Sequence, residues 1–300
     1  MTGYQNVLVI IKNSIAEQAI LQRAFEICAK RGGRVCVLVA WCDETPPHSA
    51  QSADISQQVR RQEAAIQHQI KPWLTENIRC EIEFFTGGCD YKMIIHHVIK
   101  YRFQLVIKPI YEKKSRFALC KWIDTKQLLR QCPCPVWLVK CLSVSLPLKA
   151  LVAVNLVSRH PQHSALNRQI IDTAHQLQTD NVVARLQLLA VYSLPFVTMS
   201  TALPAYLVEQ QYPWVIKTYC HDMQLLRGKI HLNASQTLIV AGSPCEVIAE
   251  QVQQLRVNLI VIGNRGQDGW SLFRSRKTAE KLLNKLDCDL LVCRYDDQSK

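Results

Sequence analysis

The 300-residue sequence predicts two α/β domains in tandem, each a parallel sheet with helices wound over both faces. Three observations carry this expectation. Short, continuous apolar runs have the length of strands buried on both sides. They alternate with longer segments whose apolar residues recur at helical spacing, as parallel pairing requires, because a crossover must return the chain to the same end of the sheet. Finally, several separated blocks of the first half recur in the second half at one fixed offset.

In the first half, Val7–Ile11 is the opening apolar run. A helix follows. Ser14 with Glu17 three residues on matches a capping box, Ala16, Ile20, Ala24 and Ile27 form one apolar stripe, and Gly32 and Gly33 stop it. Strand two is expected at Arg34–Ala40. Beyond Pro46 and Pro47, the residues Ile55, Val59, Ile66, Ile70 and Trp73 keep one helical face apolar. Cys80–Phe85 reads as strand three, Met93–Ile99 as helix, Phe103–Pro109 as strand four, Trp122–Arg130 as helix and Val136–Lys140 as strand five.

The same order restarts with a strand at Lys149–Asn155, a helix at Ala165–Leu177, a strand at Val182–Tyr192 and a long helix at Tyr206–Arg227. The step from Gly88 to Gly242 also carries Ile94 to Ile248, Leu105-Val106-Ile107 to Leu259-Ile260-Val261, Leu128-Leu129 to Leu282-Leu283, and Cys134 to Cys288. Matches in one register over separated blocks indicate a duplication. The expected domains are residues 1–142 and 149–300, with the boundary near Leu142–Leu148.

At 48% hydrophobic residues the chain has enough apolar material for two cores. Met1–Asn6 has neither the basic nor the apolar part of a signal peptide, and no apolar run reaches membrane-span length, so the cytoplasm is the expected location. Many of the 13 cysteines lie in apolar strand-like runs such as Arg34–Val39 and Leu290–Cys293, where thiols behave as small buried hydrophobes in a reducing compartment. Cys132-Pro133-Cys134-Pro135 invites a metal or redox reading, but it lacks the two-residue spacer of zinc and thioredoxin motifs, and its prolines suit the entry to a strand. The net charge of +12 raises nucleic acid as a partner. Its local groups, Lys113-Lys114-Ser115-Arg116 and Arg274-Ser275-Arg276-Lys277, are short and have no nucleic-acid-binding motif beside them, which favours solvated surface.

Val257–Gly269, then Thr278-Ala279-Glu280-Lys281-Leu282-Leu283 and Cys288-Asp289-Leu290-Leu291-Val292, resembles the C-terminal signature of universal stress proteins. The likeness extends through Tyr4–Val9, Leu128–Pro133, Pro135–Lys140 and Lys149–Leu156, and is similar to the tandem type of that family. The resemblance implies adenine-nucleotide α-hydrolase-like, Rossmann-like domains, each a five-stranded parallel sheet flanked by helices. It also implies a noncatalytic role in stress survival through ligand or protein binding. The two domains would form an intramolecular pseudo-dimer, with homodimerisation of the whole chain left open.

Backbone N–H groups at a strand-to-helix turn bind phosphate when glycine lets them approach. Gly263 and Gly266 end the expected fourth strand of the second domain, where open parallel sheets place ligands. In the family's nucleotide binders G-x-x-G is followed by nine residues, then Gly and Ser or Thr. Here Gln267–Ser275 is followed by Arg276 and Lys277, so the third glycine is absent; Arg276 either crowds a phosphate or offers it a guanidinium, and Thr278 retains a hydroxyl. By the same resemblance Asn155 replaces the first-strand acid that meets the adenine and ribose end, and Val191 falls where backbone meets the base. ATP, another anionic or amphipathic ligand, and a purely structural turn all stay open. In the first domain Pro109, Glu112 and Trp122 stand at the positions of Gly263, Gly266 and Arg276, and Lys12 at the acidic position, so no nucleotide is expected there.

His96-His97 lies within a helix, where neighbours diverge by about 100° and grip one metal poorly. His160-Pro161-Gln162-His163 is expected in a loop before a helix, with no acidic partner close in sequence. No Gly-x-Ser-x-Gly elbow, His-Glu-x-x-His pair or Gly-Lys-Ser loop is present, so no catalytic residue is assigned; a weak ATPase or nucleotide switch using Gly263, Gly266 and Thr278 is the enzymatic rival. Trp122, Trp137, Trp214 and Trp270 suit cores or a domain interface, while Trp270 with Phe273 suits an apolar cavity or partner surface if solvent-facing.

Overall fold

The computed structural model describes residues 4–12, 17–41, 52–86, 90–110, 118–140, 146–156, 161–192, 213–264, 282 and 285–294. The chain divides into two compact units, Met1–Leu146 and Pro147–Lys300.

The first unit runs β1 (Asn6–Ile11), α1 (Gln18–Ala29), β2 (Gly33–Trp41), α2 (Ser52–Ile70), a 3-10 turn (Lys71–Trp73), β3 (Ile78–Thr86), α3 (Tyr91–Tyr101), β4 (Leu105–Pro109), α4 (Ala118–Gln131) and β5 (Val136–Val139). Its strands lie in the order β3-β2-β1-β4-β5, and each neighbouring pair is parallel. The chain builds outward from β1 in one direction and returns through β4 in the other, so the order reverses between β1 and β4. β1 holds the middle because Val7 through Ile11 are all buried, each such side chain contributing about 1.5–3 kcal/mol. Ser14 lies outside the described residues; Glu17 directly precedes α1.

Glycine is required after α1. Gly32 and Gly33 have φ of 72° and 157°, and a Cβ on Gly33 would sit 2.3 Å from the carbonyl oxygen of Gln5. At α3 the Asp90 carboxylate accepts the Met93 N–H at 2.8 Å, an N-cap that carries the helix two residues further back than its apolar stripe. α3 ends at Arg102 in the left-handed region. The expected strand from Phe103 begins two residues later, at Leu105. Gln104 serves instead as a latch, its Oε1 accepting the backbone N–H of Gln5 and Asn6 at 2.7 and 3.2 Å.

The second unit runs β6 (Leu148–Val154), α5 (Pro161–Thr179), β7 (Val183–Tyr192), α6 (Pro213–Gly228), a 3-10 turn (Ala234–Gln236), β8 (Thr237–Ala241), α7 (Pro244–Leu255), β9 (Leu259–Asn264) and β10 (Asp289–Arg294). Within this unit the order is β8-β7-β6-β9-β10, again with parallel neighbours and a reversal between β6 and β9. The duplication extends to details. α7 ends at Arg256 in the left-handed region, in register with Arg102, and Asn258, in register with Gln104, accepts the Lys149 N–H at 3.1 Å. One expectation is corrected. α5 begins at Pro161, whose missing N–H is harmless in a first turn, so Pro161 and His163 are helical rather than in a loop. The expected helix from Tyr206 is described from Pro213 onward.

Buried free thiols fill gaps in both units: Cys28, Cys36, Cys132 and Cys134 in the first, Cys245, Cys288 and Cys293 in the second. Burial, with the Glu83 carboxylate adding to it, pushes the Cys36 thiol up to about 12. Burial alone does the same to Cys293; burial with Glu81 nearby raises Cys80 to about 11, and burial with Asp222 nearby raises the Tyr219 phenol to about 12. All four groups hold their protons more tightly folded than unfolded. Their contribution is therefore complete below the unfolded values and is lost as pH rises from about 9 towards 12, because the unfolded chain releases those protons first. Denaturation midpoints are expected to stay level from pH 7 to 8.5 and fall steeply above pH 9; a flat profile to pH 11 would contradict the burial of these groups.

Candidate functional site

The carboxyl ends of β6, β7 and β9 meet at the point where the second sheet reverses its order, the place in an open parallel sheet where diverging loops leave a crevice. Val154 pairs with Ala190, so Asn155 comes level with Val191. Val152 pairs with Val261, so Gly263 lies level with Val154 on the other flank. Asn155, Val191 and Gly263 thus reach one edge of one sheet. Gly266, Arg276 and Thr278, with Lys277, Trp270 and Phe273, lie outside the described residues.

The backbone at Asn155 is clamped by α5. The Asn155 N–H donates to Asn167 Oδ1 at 3.1 Å, and Asn167 Nδ2 donates to the Asn155 carbonyl oxygen at 2.7 Å. Asn167 is buried, and its amide satisfies two polar groups that the end of a strand would otherwise leave unmatched. The sequence reading did not single it out; an asparagine twelve residues beyond Asn155, inside a helix, gives no local signal.

Gly263 has a packing duty. A Cβ built there would lie 2.7 Å from Leu166 Cδ2 and 2.7 Å from Ile170 Cδ1, so the space is already held by α5, and the missing side chain admits that helix to the sheet. Its backbone pairs in the ladder with Cys293 of β10. The next residue, Asn264, is fully buried. Val191 is buried too, and it pairs with Val240 of β8.

The first unit answers the same problem with a charge. The Lys12 N–H, at the end of β1, donates to Glu17 Oε2 at 2.8 Å, and Glu17 is buried. Lys108 Nζ donates to Thr125 Oγ1 at 3.1 Å one strand away, and Pro109 ends β4 without an N–H. A carboxylate stationed at the strand end opposes an incoming phosphate. Glu112 and the Trp122 side chain lie outside the described residues.

His97 is tied into packing: Nδ1 lies 3.3 Å from the Met93 carbonyl oxygen and Nε2 3.2 Å from Glu83 Oε2, with Tyr101 and Phe85 rings against it. Beside it Arg34 pairs with Glu81 and stacks over Tyr101 and Phe103, centroids 5.3 and 5.5 Å away. Among the described residues no three His, Cys, Asp or Glu side chains are grouped to hold a metal ion, and no helix is long and apolar enough to cross a membrane.

The family model described as the universal stress protein family matches residues 3–140 and 153–294. Universal stress protein E of Salmonella typhi is 29% identical over 303 residues, covering 99% of this chain and 96% of that protein. A Haemophilus influenzae homolog of universal stress protein E is 24% identical over 298 residues, covering 96% of each. Among solved structures, a functionally unknown protein of Pseudomonas aeruginosa PAO1 aligns with a TM-score of 0.68 at 22% identity, covering 98% of this chain and 94% of that one. A universal stress protein of Archaeoglobus fulgidus aligns at 0.64 and 13%, covering 99% and 98%, a likeness of fold. With two family matches that follow the duplicated strands and helices, this chain belongs to the universal stress protein family and is of its tandem type.

Proposed function

We propose that this tandem stress protein acts without catalysis, as a cytoplasmic binding protein whose second unit takes one small anionic or amphipathic ligand, an adenine nucleotide among the candidates, while its first unit takes no nucleotide. The observation that carries the reading is the meeting of Asn155, Val191 and Gly263 at the reversal point of the second sheet. Asn155 offers an uncharged amide, Val191 its backbone, and the run from Gly263 through Gly266 to Thr278 N–H groups and a hydroxyl, while Arg276 offers a guanidinium to a small anion and crowds the longer triphosphate of ATP. In the first unit Glu17, Glu112 and Pro109 work against phosphate. The many buried thiols support a reducing compartment.

Native mass spectrometry of freshly purified chain is expected to show a mass increment of one small molecule, lost on unfolding. Restoring the family pattern with Arg276→Gly and Lys277→Ser is expected to tighten ATP binding by roughly tenfold or more, since an unobstructed phosphate gains charge-assisted backbone hydrogen bonds. A chain that carries nothing, and whose restored variant gives no heat with ATP by titration calorimetry, would defeat the reading. ATP turnover by wild type that disappears with Thr278→Ala would favour the enzymatic rival. A gel shift at about 50 mM salt that vanishes at higher salt would favour nucleic acid.

The in-register duplication also supports pairing of the two units as an internal pseudo-dimer, with self-association of whole chains as a further level. Solution X-ray scattering is expected to give one compact particle; a profile of two independently moving lobes would remove the pairing.

A further inference from the structure

At the end of α4 the chain passes through Cys132-Pro133-Cys134-Pro135 into β5. Both thiols are buried, and their sulfurs lie 3.6 Å apart. Cys132 is anchored to the last turn of the helix by its N–H, which donates to the Leu128 carbonyl oxygen at 2.8 Å. The duplication provides an internal comparison. In the second unit the same two positions are Leu286 and Cys288, both buried, so a hydrocarbon fills the Cys132 position there and packing alone does not require sulfur.

We propose that Cys132 and Cys134 are a two-electron redox site, closing to an intramolecular disulfide when the protein meets a hydroperoxide. The sulfurs must approach from 3.6 Å to about 2.0 Å, a movement within reach of side-chain rotation about two adjacent turns. The Cys132 sulfur beside it, and then burial, hold the Cys134 thiol well above its ordinary value, so Cys132 is assigned as the attacking thiol and Cys134 as the resolving one. The Cys132 thiolate attacks the hydroperoxide, breaking the O–O bond; the leaving alkoxide takes a proton from solvent, and Cys132 becomes a sulfenic acid. Cys134 then attacks Sγ of Cys132. The S–S bond forms as hydroxide leaves, and the Cys134 proton completes a water molecule. In balance, two thiols and one hydroperoxide give one disulfide, one alcohol (or water from hydrogen peroxide) and one water. Burial makes the pair slow, reached when the end of α4 opens, and keeps the product apart from other thiols.

Trypsin isolates the site. Cleavage after Arg130 and Lys140 releases Gln131–Lys140, which carries Cys132 and Cys134 and no other cysteine, while Leu286–Arg294 carries Cys288 and Cys293 as a control. Folded full-length protein is treated with hydrogen peroxide until exposed Cys220 is oxidised, quenched, unfolded in alkylating reagent and mapped. The expected result is a Gln131–Lys140 peptide lighter by two hydrogens and unalkylated, restored to double alkylation by prior dithiothreitol, with Leu286–Arg294 doubly alkylated throughout. Double alkylation of Gln131–Lys140, a sulfinic acid on either residue, or a crosslink to a third cysteine would each overturn the proposal. The wild-type map decides without a variant; Cys134→Ser is expected to abolish the reducible product and leave Cys132 singly modified.

Discussion

Trp137→Ala is expected to destabilise the protein by about 3–5 kcal/mol, the cost of truncating a large, fully enclosed aromatic side chain. Trp137 stands in β5, opposite Ile107 of β4, with no exposed surface. Removing the indole costs both the transfer of its apolar area and the cavity it leaves, because strands held by ladder hydrogen bonds on β4 cannot close around the gap. The second unit shows what the position tolerates. Its counterpart in register is Leu291, also fully enclosed. Trp137→Leu is therefore expected to cost less than Trp137→Ala while keeping a folded first unit. Urea denaturation followed by circular dichroism measures both. Equal costs for alanine and leucine would mean that side-chain volume is not what this position requires.

Strands such as Val7–Ile11 and Leu259–Val261 were legible because a strand buried on both faces announces itself as an uninterrupted apolar run. The helices followed from their stripes, and the duplication fixed the register of elements whose own pattern is weaker. β8, half-buried along its whole length, was not among the expected strands. The ends of elements were less legible because caps decide them. Asp90 extends α3 backward by one side-chain hydrogen bond, and Pro161 starts α5 where the loop was expected to hold His163. Arg23 shows another limit: a charged residue on the enclosed side of α1, its Nη1 donating to the Ala19 carbonyl oxygen, where an apolar stripe predicts no charge.

At the candidate site the sequence supplied residue types and the strand ends they occupy, and missed what holds them. Asn167 and Glu17 each bond the backbone just past the first strand of their unit, yet one comes from within a helix and the other from the residue before a helix. Neither spacing repeats, so the duplication that revealed the fold conceals this likeness. The two units share a scaffold down to the Gln104 and Asn258 latches, and diverge where the sheet order reverses: a neutral amide clamp in the second, a buried carboxylate in the first. The difference between the units thus lies in a few side chains at the strand ends, on a framework that tolerates the exchange.

Gly263→Val is expected to cost about 2–3 kcal/mol, at the upper end for forcing a side chain into a filled core, and this changes how the glycine motif must be tested. A Cβ at this position meets Leu166 Cγ at 2.7 Å and Ile170 Cδ1 at the same distance, and the larger branches of valine drive α5 from the sheet. Loss of ligand binding in such a variant would report a displaced helix, since α5 also carries Asn167 and with it the clamp on Asn155. The separation comes from a pair of changes. Gly263→Ala alone is expected to destabilise by about 1–3 kcal/mol, and Leu166→Ala alone by about 2–5 kcal/mol, whereas the double variant should cost less than the two together, because the new methyl occupies space the leucine has vacated. Guanidinium denaturation of the four proteins measures that coupling. Strict additivity would mean that α5 yields freely at Gly263, and the glycine would then have to be explained by what approaches its backbone instead of by the helix that covers it.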